Sequence, residues 1–123
     1  MTIKRVGMGP RMSKAVVHNG VVYISGQVPQ QTLTQGFEAQ VKEVLHLIDT
    51  ILSSVGCSRA SLLSVSVSLA DVGDFDVLNA VWEDWIDPEN KPARITVGAT
   101  LTSPEFKVEI GAIAAAKDSS TYD

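Results

Sequence analysis

Residues 94–101 read Arg-Ile-Thr-Val-Gly-Ala-Thr-Leu, and their side chains alternate between apolar and other types. Ile95 and Val97 belong to the apolar set, while Arg94 and Thr96 belong to the other. Alternation with period 2 predicts a β-strand with two unlike faces. A guanidinium on a sheet face needs an anionic partner or open water, because burying an unpaired charge is costly. The pattern therefore fits a small-anion site, and it equally fits a structural ion pair or a solvated sheet face.

A matching charge stands in the last strand. The turn sequence at 102–105 predicts a hairpin that joins the strand at 94–101 to a strand at 106–115. In the simplest register Glu109 lies opposite Gly98, and Arg94 lies on the same face, about 13 Å away at the usual strand rise. A direct bond between the two charges is not expected. The gap would suit a small anion or a water molecule.

The remaining elements follow from turn signals and hydrophobic periodicity. Asn19-Gly20 between two runs rich in β-branched residues is a strong hairpin signal. Apolar residues at spacings of three and four predict two amphipathic helices. Gly56 is well placed to end the first helix in a left-handed cap. The predicted strands are 3–6, 14–18, 21–25, 62–70, 94–101 and 106–115; the predicted helices are 34–55 and one from residue 71 or 74 to about 86.

This order, β-β-β-α-β-α-β-β, predicts an α+β domain in which two helices cover the apolar face of one mixed sheet. The uncovered face is expected to carry small residues suited to close approach by another sheet. We therefore predict that this face is buried by oligomerisation and that any pocket lies between subunits; a water-facing sheet is the alternative. The residues assigned to this face are Ser64, Ser66, Ser68, Thr96, Gly98, Thr100 and Gly111.

Composition narrows the class of protein. The chain has 123 residues, 45% hydrophobic and 20% charged, which is typical of one globular domain. We expect that domain to span residues 1–117, with a disordered polar tail at 118–123. The net charge of −4 and the scattered basic residues argue against a nucleic-acid surface.

Localisation and metal binding are predicted from what the sequence does not contain. Residues 1–7 lack the apolar core of a signal peptide, and no apolar run is long enough to cross a bilayer. The single cysteine, Cys57, fits a reducing compartment, so we predict a cytoplasmic protein without membrane contact. His18 and His46 lack ligand spacing, so no metal site is expected.

Several short motifs together resemble a known family. In order, Ser25-Gly26-Gln27-Val28-Pro29, Asp74-Phe75 with Asn79, Pro92-Ala93-Arg94 and Val108-Glu109-Ile110 resemble the RidA/YjgF reactive intermediate deaminase family. The segments Arg11-Met12-Ser13, His18-Asn19-Gly20 and 106–110 look more like its YoaB-type branch than its founding RidA branch. The resemblance spans nearly the whole chain.

The resemblance implies a chorismate-mutase-like (YjgF-like) homotrimer with three clefts between subunits and no metal or organic cofactor. It implies hydrolysis of enamines and imines such as 2-aminoacrylate to a 2-keto acid and ammonia. Arg94 would bind the substrate carboxylate and Glu109 would orient or activate water. The implied substrate-binding residues are Ser25, Gly26, Asn79, Thr96 and Met12.

Two positions differ from the founding branch. Its cleft tyrosine follows a Gly-Pro pair, whereas Arg11 and Met12 follow Gly9-Pro10 here, and its cysteine is replaced by Thr96. Three functions therefore stay open: an imine hydrolase, a non-catalytic module that binds a small carboxylate such as a 2-keto acid, and, least favoured by the charge balance, a ribonuclease.

Overall fold

The computed structural model describes residues 2–116, which form two α-helices and one six-stranded sheet. The predicted α+β class with a mixed sheet is confirmed, whereas the tail predicted at 118–123 lies outside the described residues. Within residues 2–116, neither helix is long and apolar enough to cross a membrane. The elements in chain order are β1 (Lys4–Val6), β2 (Ala15–His18), β3 (Val21–Gln27), α1 (Phe37–Ser54), β4 (Leu62–Leu69), α2 (Phe75–Trp85), β5 (Ala93–Gly98) and β6 (Val108–Ala115).

The strand order across the sheet is β1-β2-β3-β6-β4-β5. Strands β4 and β5 pair in parallel, and β6 lies antiparallel between β3 and β4. The predicted hairpin between the strands at 94–101 and 106–115 is therefore wrong. Strand β5 instead forms a β-α-β unit with β4, because α2 supplies the long connection that parallel strands need. This pairing leaves β5 at the edge of the sheet.

The parallel register reverses the two predicted faces of β5. Arg94 pairs with Val65 and Thr96 with Val67, so both side chains lie on the buried, helix-covered face of the sheet. Ile95 and Val97 pair with Ser66 and Ser68 and lie on the uncovered face. The predicted alternation is confirmed, but the face predicted for Arg94, Thr96 and Gly98 is wrong, and Thr100 lies beyond the end of β5. Ser64, Ser66, Ser68 and Gly111 do share the uncovered face.

Two local predictions are confirmed by backbone geometry. Asn19 and Gly20 both have positive φ, 52° and 76°, as the tight turn between β2 and β3 requires. Gly56 has φ 74°, and the N–H of Cys57 donates to the carbonyl of Leu52 at 2.8 Å, which closes the end of α1.

The core lies between the sheet and the two helices. Both helices place their apolar stripes against the sheet, which buries them almost completely. The largest fully buried apolar side chains are Val17, Val22, Val41, Val44, Leu45, Ile48, Leu52, Val65, Leu69, Leu78 and Ile110.

One buried amide ties the helix layer to two loops. Gln40 on α1 is fully buried, and its Oε1 accepts a hydrogen bond from the N–H of Lys107 at 2.9 Å. Its Nε2 donates to the carbonyl of Glu105 at 3.0 Å and of Leu33 at 3.4 Å. The amide therefore fixes the segment that leads into β6, the strand that carries Glu109. Hydrophobic periodicity gave no sign of this residue.

A carboxylate on α1 anchors the loop that follows β3. Glu43 accepts hydrogen bonds from the backbone N–H groups of Gln30, Gln31 and Thr32 and from the Thr32 hydroxyl, the last at 2.6 Å. Burial alone would raise the pKa of Glu43, but the bonds from the Thr32 hydroxyl and the three N–H groups outweigh it and lower the pKa.

We expect Glu43→Gln to make stability less dependent on pH in the acid range. A pKa that is lower in the folded state contributes stability above the unfolded pKa, and this contribution is lost as the pH falls through the folded value. The difference in unfolding free energy between wild type and Glu43→Gln should be largest near about pH 7 and shrink below about pH 4. Urea unfolding at several pH values measures it.

Glu83→Gln serves as the control, since Glu83 is an exposed helical glutamate on α2. It should leave the pH profile of the unfolding free energy unchanged. A Glu43→Gln deficit of the same size at every pH would contradict the assigned role of the carboxylate.

Candidate functional site

Arg94 lies at the edge of the sheet, where its half-buried side chain contacts α2. Its Nη2 donates a hydrogen bond to Oδ1 of Asn79 at 2.8 Å. Its Cζ lies 5.2 Å from the ring centroid of Trp82 and 5.8 Å from that of Phe75, both within cation–π range. Within residues 2–116, no carboxylate forms an ion pair with Arg94. Most of its five N–H donors therefore remain available to an anion.

The three α2 residues that contact Arg94 are spaced along one side of the helix. Phe75, Asn79 and Trp82 stand at i, i+4 and i+7, which places them on neighbouring turns of one face. The sequence predicted Phe75 and Trp82 as part of an apolar core stripe. Leu78 and Trp82 are buried in the core as predicted, whereas Phe75 is exposed. The rings of Phe75 and Trp82 also lie close to the guanidinium of Arg94.

Thr96 lies on the same face of β5 as Arg94, about 7 Å further along the strand. Its Oγ1 is buried and has no hydrogen-bond partner among the described residues. Buried hydroxyls in proteins nearly always bond to protein or to ordered water. This hydroxyl is therefore able to bond to a water molecule or a ligand.

Glu109 lies on the other face of the sheet. It pairs with Ser68 across β4 and β6, and Ser68 shares the uncovered face with Val97. Its carboxylate lies directly over Gly26, where a Cβ on that glycine would collide with it. A side chain at position 26 would therefore displace the Glu109 carboxylate from this place above β3.

The two remaining substrate-binding candidates lie on the β3 side of the sheet or beyond it. The Ser25 hydroxyl donates to the carbonyl of Lys14 at 3.2 Å, in a stretch where the register of β3 shifts. Met12 lies in the loop between β1 and β2, and its side chain is 61% exposed. Strands β1 and β5 are the two edges of the sheet, so Met12, which follows β1, and Arg94, which lies on β5, are at opposite edges within one chain.

The predicted site residues therefore form two separate groups. We call Arg94, Asn79 and Thr96 the arginine half-site, and Glu109, Ser25 and Gly26 the glutamate half-site. The expectation that Arg94 and Glu109 share a sheet face is wrong, because β5 pairs with β4 and presents Arg94 on the helix side. The two half-sites lie on opposite faces of the sheet.

The uncovered face is more apolar than the sequence suggested. Large side chains of β3, β5 and β6 project from it among the small residues of β4 and β6. Exposed apolar side chains on one sheet face are a feature of surfaces that associate, so association through this face stays a prediction. The four large residues are Tyr23, Ile95, Val97 and Ile113, each 38–60% exposed.

The side chains of the two half-sites are not those of a metal centre. Within residues 2–116, no group of three or more histidine, cysteine, aspartate or glutamate side chains is arranged to hold a metal ion. The polar groups of the two half-sites are instead a guanidinium, an amide, hydroxyls and one carboxylate, which are suited to recognising a small organic anion.

Comparison with known proteins assigns the family. The family model described as endoribonuclease L-PSP matches residues 2–116. A RutC family protein of Haemophilus influenzae is 42% identical over 93% of this chain and 98% of its own length. The RutC family protein YoaB of Escherichia coli is 38% identical over 94% of this chain and 99% of its own.

One solved structure and one more distant relative extend the comparison. A member of the YjgF protein family from Neisseria meningitidis has a TM-score of 0.87 and 38% identity, covering 96% of this chain and 98% of that one. The human 2-iminobutanoate/2-iminopropanoate deaminase is 29% identical over 92% of this chain and 85% of its own length.

The fold and these matches define the class: the chain belongs to the endoribonuclease L-PSP family, also known as RidA/YjgF. Within it, the chain is a YoaB-like member, as its motifs predicted.

The unpartnered hydroxyl of Thr96 generates a stability prediction. Replacing it with an apolar group of the same shape removes a buried group that has no hydrogen-bond partner among residues 2–116, so Thr96→Val should leave the unfolding free energy unchanged or raise it by up to about 1 kcal/mol. Thr32→Val is the matched control, because the Thr32 hydroxyl bonds to Glu43 at 2.6 Å. Chemical denaturation should show a loss for Thr32→Val. A clear loss for Thr96→Val as well would mean that its hydroxyl has a stabilising partner within the folded protein.

Proposed function

We propose that this chain is an enamine/imine deaminase that hydrolyses reactive imino acids of the 2-aminoacrylate type to 2-keto acids and ammonia. The observation that carries the proposal is the environment of Arg94 within residues 2–116, where its charge meets a neutral amide and two aromatic faces instead of an acid. A guanidinium fork with unused donors binds a carboxylate through two parallel hydrogen bonds. Every 2-imino acid carries such a carboxylate beside the reacting carbon.

We further propose that the active site forms between subunits of a homotrimer. Arg94 and Glu109 lie on opposite faces of one sheet, so they can act on one small substrate only if different subunits supply them. The apolar side chains on the uncovered face supply a surface suited to that assembly. Three equivalent clefts follow from three-fold symmetry.

The proposed chemistry needs a positioned water and a proton carrier. Water oxygen adds to the carbon of the protonated imine while Glu109 accepts one proton of the water, which gives a neutral carbinolamine. Glu109 then returns this proton to the nitrogen. As the C–N bond breaks and the carbonyl forms, Glu109 takes the proton of the hydroxyl group, and ammonia leaves. An enamine first takes a proton on carbon to become the imine. Because the imine is already electrophilic, positioning by Arg94 and Asn79 supplies much of the acceleration.

The relatives support imine deamination as the type of reaction, but they give less support to any one imino acid as the substrate. The human relative is named for 2-iminobutanoate and 2-iminopropanoate, whereas the more similar proteins carry only family names. The unpartnered hydroxyl of Thr96, beside Arg94, would contact substrate or water on the arginine side of the cleft. Ser25 and Gly26 would line the side that carries Glu109.

A second candidate is a non-catalytic module that binds a 2-keto acid or a similar small carboxylate. It is favoured by one observation: the arginine half-site has no acid or base of its own beside Arg94 within residues 2–116. Ribonuclease action, which the family description names, is the least favoured, since the chain has a net charge of −4.

Arg94→Ala should reduce kcat/KM for imino-acid hydrolysis by roughly a hundredfold or more, because a charge-assisted bidentate contact to the carboxylate is lost. Arg94→Lys should fall between, since it keeps the charge without the fork. The imines are generated in situ by an amino-acid oxidase, and loss of the semicarbazone signal is followed. Lys91→Ala, which removes an exposed positive charge just before β5, is the control and should behave as wild type.

Two results would change the assignment. If wild type accelerates hydrolysis of none of several imino acids, the hydrolase function is rejected. If wild type in that case still binds 2-keto acids and Arg94→Ala does not, the chain is a binding module.

A further inference from the structure

The guanidinium of Arg94 is the first member of a row of neighbouring groups along α2, made of two tryptophan rings and a second guanidinium. The ring of Trp82 faces it at 5.2 Å, and the ring of Trp85 lies 5.6 Å beyond, tilted by 45°. On the far side, Cζ of Arg59 lies 4.9 Å from the centre of the Trp85 ring. The row thus runs from the arginine half-site to the turn that precedes β4.

We propose that Trp82 is a positioning residue for Arg94 and that Trp85, fastened by Arg59 and Asp49, holds the Trp82 ring in place. The inference rests on the proposed function, in which Arg94 binds the substrate carboxylate. It extends that function to an aromatic residue that touches no reacting atom.

At the outer end of the row, Arg59, Asp49 and Trp85 are joined by hydrogen bonds. Arg59 donates to both carboxylate oxygens of Asp49 at 2.9 Å, and its Nη1 donates to the Trp85 carbonyl at 2.6 Å. The indole N–H of Trp85 donates to Asp49 at 3.0 Å. These bonds join α1, the turn before β4 and the end of α2. They leave the Trp85 ring little freedom to move away from Trp82.

At the inner end of the row, Trp82 restrains the guanidinium of Arg94 without acting as its counter-ion. Trp82 is 9% exposed, so its ring is held by the core as well as by Trp85. A π-face attracts a guanidinium without neutralising it and uses none of its N–H donors. Asn79 accepts from Nη2 only. Together they restrict the rotamers of a flexible side chain while its remaining donors stay open to a carboxylate.

The experiment compares Trp82→Leu with Trp82→Phe in the full-length protein, using calorimetric binding of a 2-keto acid and of the matching 2-keto amide. Trp82→Leu should weaken keto-acid binding roughly three- to thirtyfold, because it removes the aromatic face. Trp82→Phe should restore most of that affinity. Binding of the neutral keto amide should be the same in all three proteins, and in the hydrolysis assay the loss should appear in KM more than in kcat.

Leu52→Ala, a cavity substitution in α1, controls for a general loss of stability. It should leave keto-acid affinity unchanged. Equal losses for keto acid and keto amide, or a loss in Leu52→Ala as large as that in Trp82→Leu, would assign Trp82 a merely structural role and overturn the inference.

Different binding results would reject the role of Trp82 and the proposed deaminase function. Wild-type affinity for the keto acid in Trp82→Leu, together with lost affinity in Arg94→Ala, overturns the inference alone. A wild-type protein that neither binds 2-keto acids nor hydrolyses imino acids overturns the proposed function and the inference with it.

Discussion

The charge of Arg94 is held beside groups that orient it and do not cancel it. An amide accepts one of its hydrogen bonds, and two aromatic rings lie within 6 Å of its Cζ. A carboxylate at the same place would make a stable ion pair and a poor anion site. Placing this guanidinium requires the parallel pairing of β4 with β5, because that register turns Arg94 towards α2. The position of Arg94 therefore depends on how the second half of the chain folds.

The registers of β5 and β6 against β4 place Glu109 on the face opposite to that of Arg94. It lies on the uncovered face, packed over Gly26, with a whole sheet between it and the face of Arg94. Ile95 and Val97, which alternate with Arg94 and Thr96 along β5, project on that uncovered side. Strand β5 therefore presents polar groups to a helix and apolar groups outward, which reverses the usual arrangement of an edge strand. Assembly of the chain with its own copies would explain both features, because it would bury the apolar residues and bring unlike half-sites together.

Local sequence signals predicted the elements well, and non-local ones less well. The Asn19-Gly20 turn and the cap at Gly56 were predictable because each depends on a backbone conformation that few residues adopt. The partner of β5 was not predictable, because its closeness in sequence to β6 favoured a hairpin between these two strands. The face of Arg94 was not predictable either, because alternation distinguishes the two faces of a strand without showing which one the helices cover. Gln40 was missed because a buried amide is recognised only once the loops that it bonds are in place. Trp82 looked like core by periodicity, and it is core, but its ring also faces a charge that only the tertiary fold brings near.

Complementation between two inactive variants shows whether one active site takes residues from two subunits. Arg94→Ala and Glu109→Gln proteins are unfolded together, refolded as a mixture and assayed for imino-acid hydrolysis, with each variant refolded alone as the blank. If one active site takes Arg94 from one subunit and Glu109 from another, random mixed trimers should recover roughly a quarter of wild-type activity. Mixed oligomers that form, as shown by differently tagged chains, and yet stay inactive would contradict a site shared between subunits.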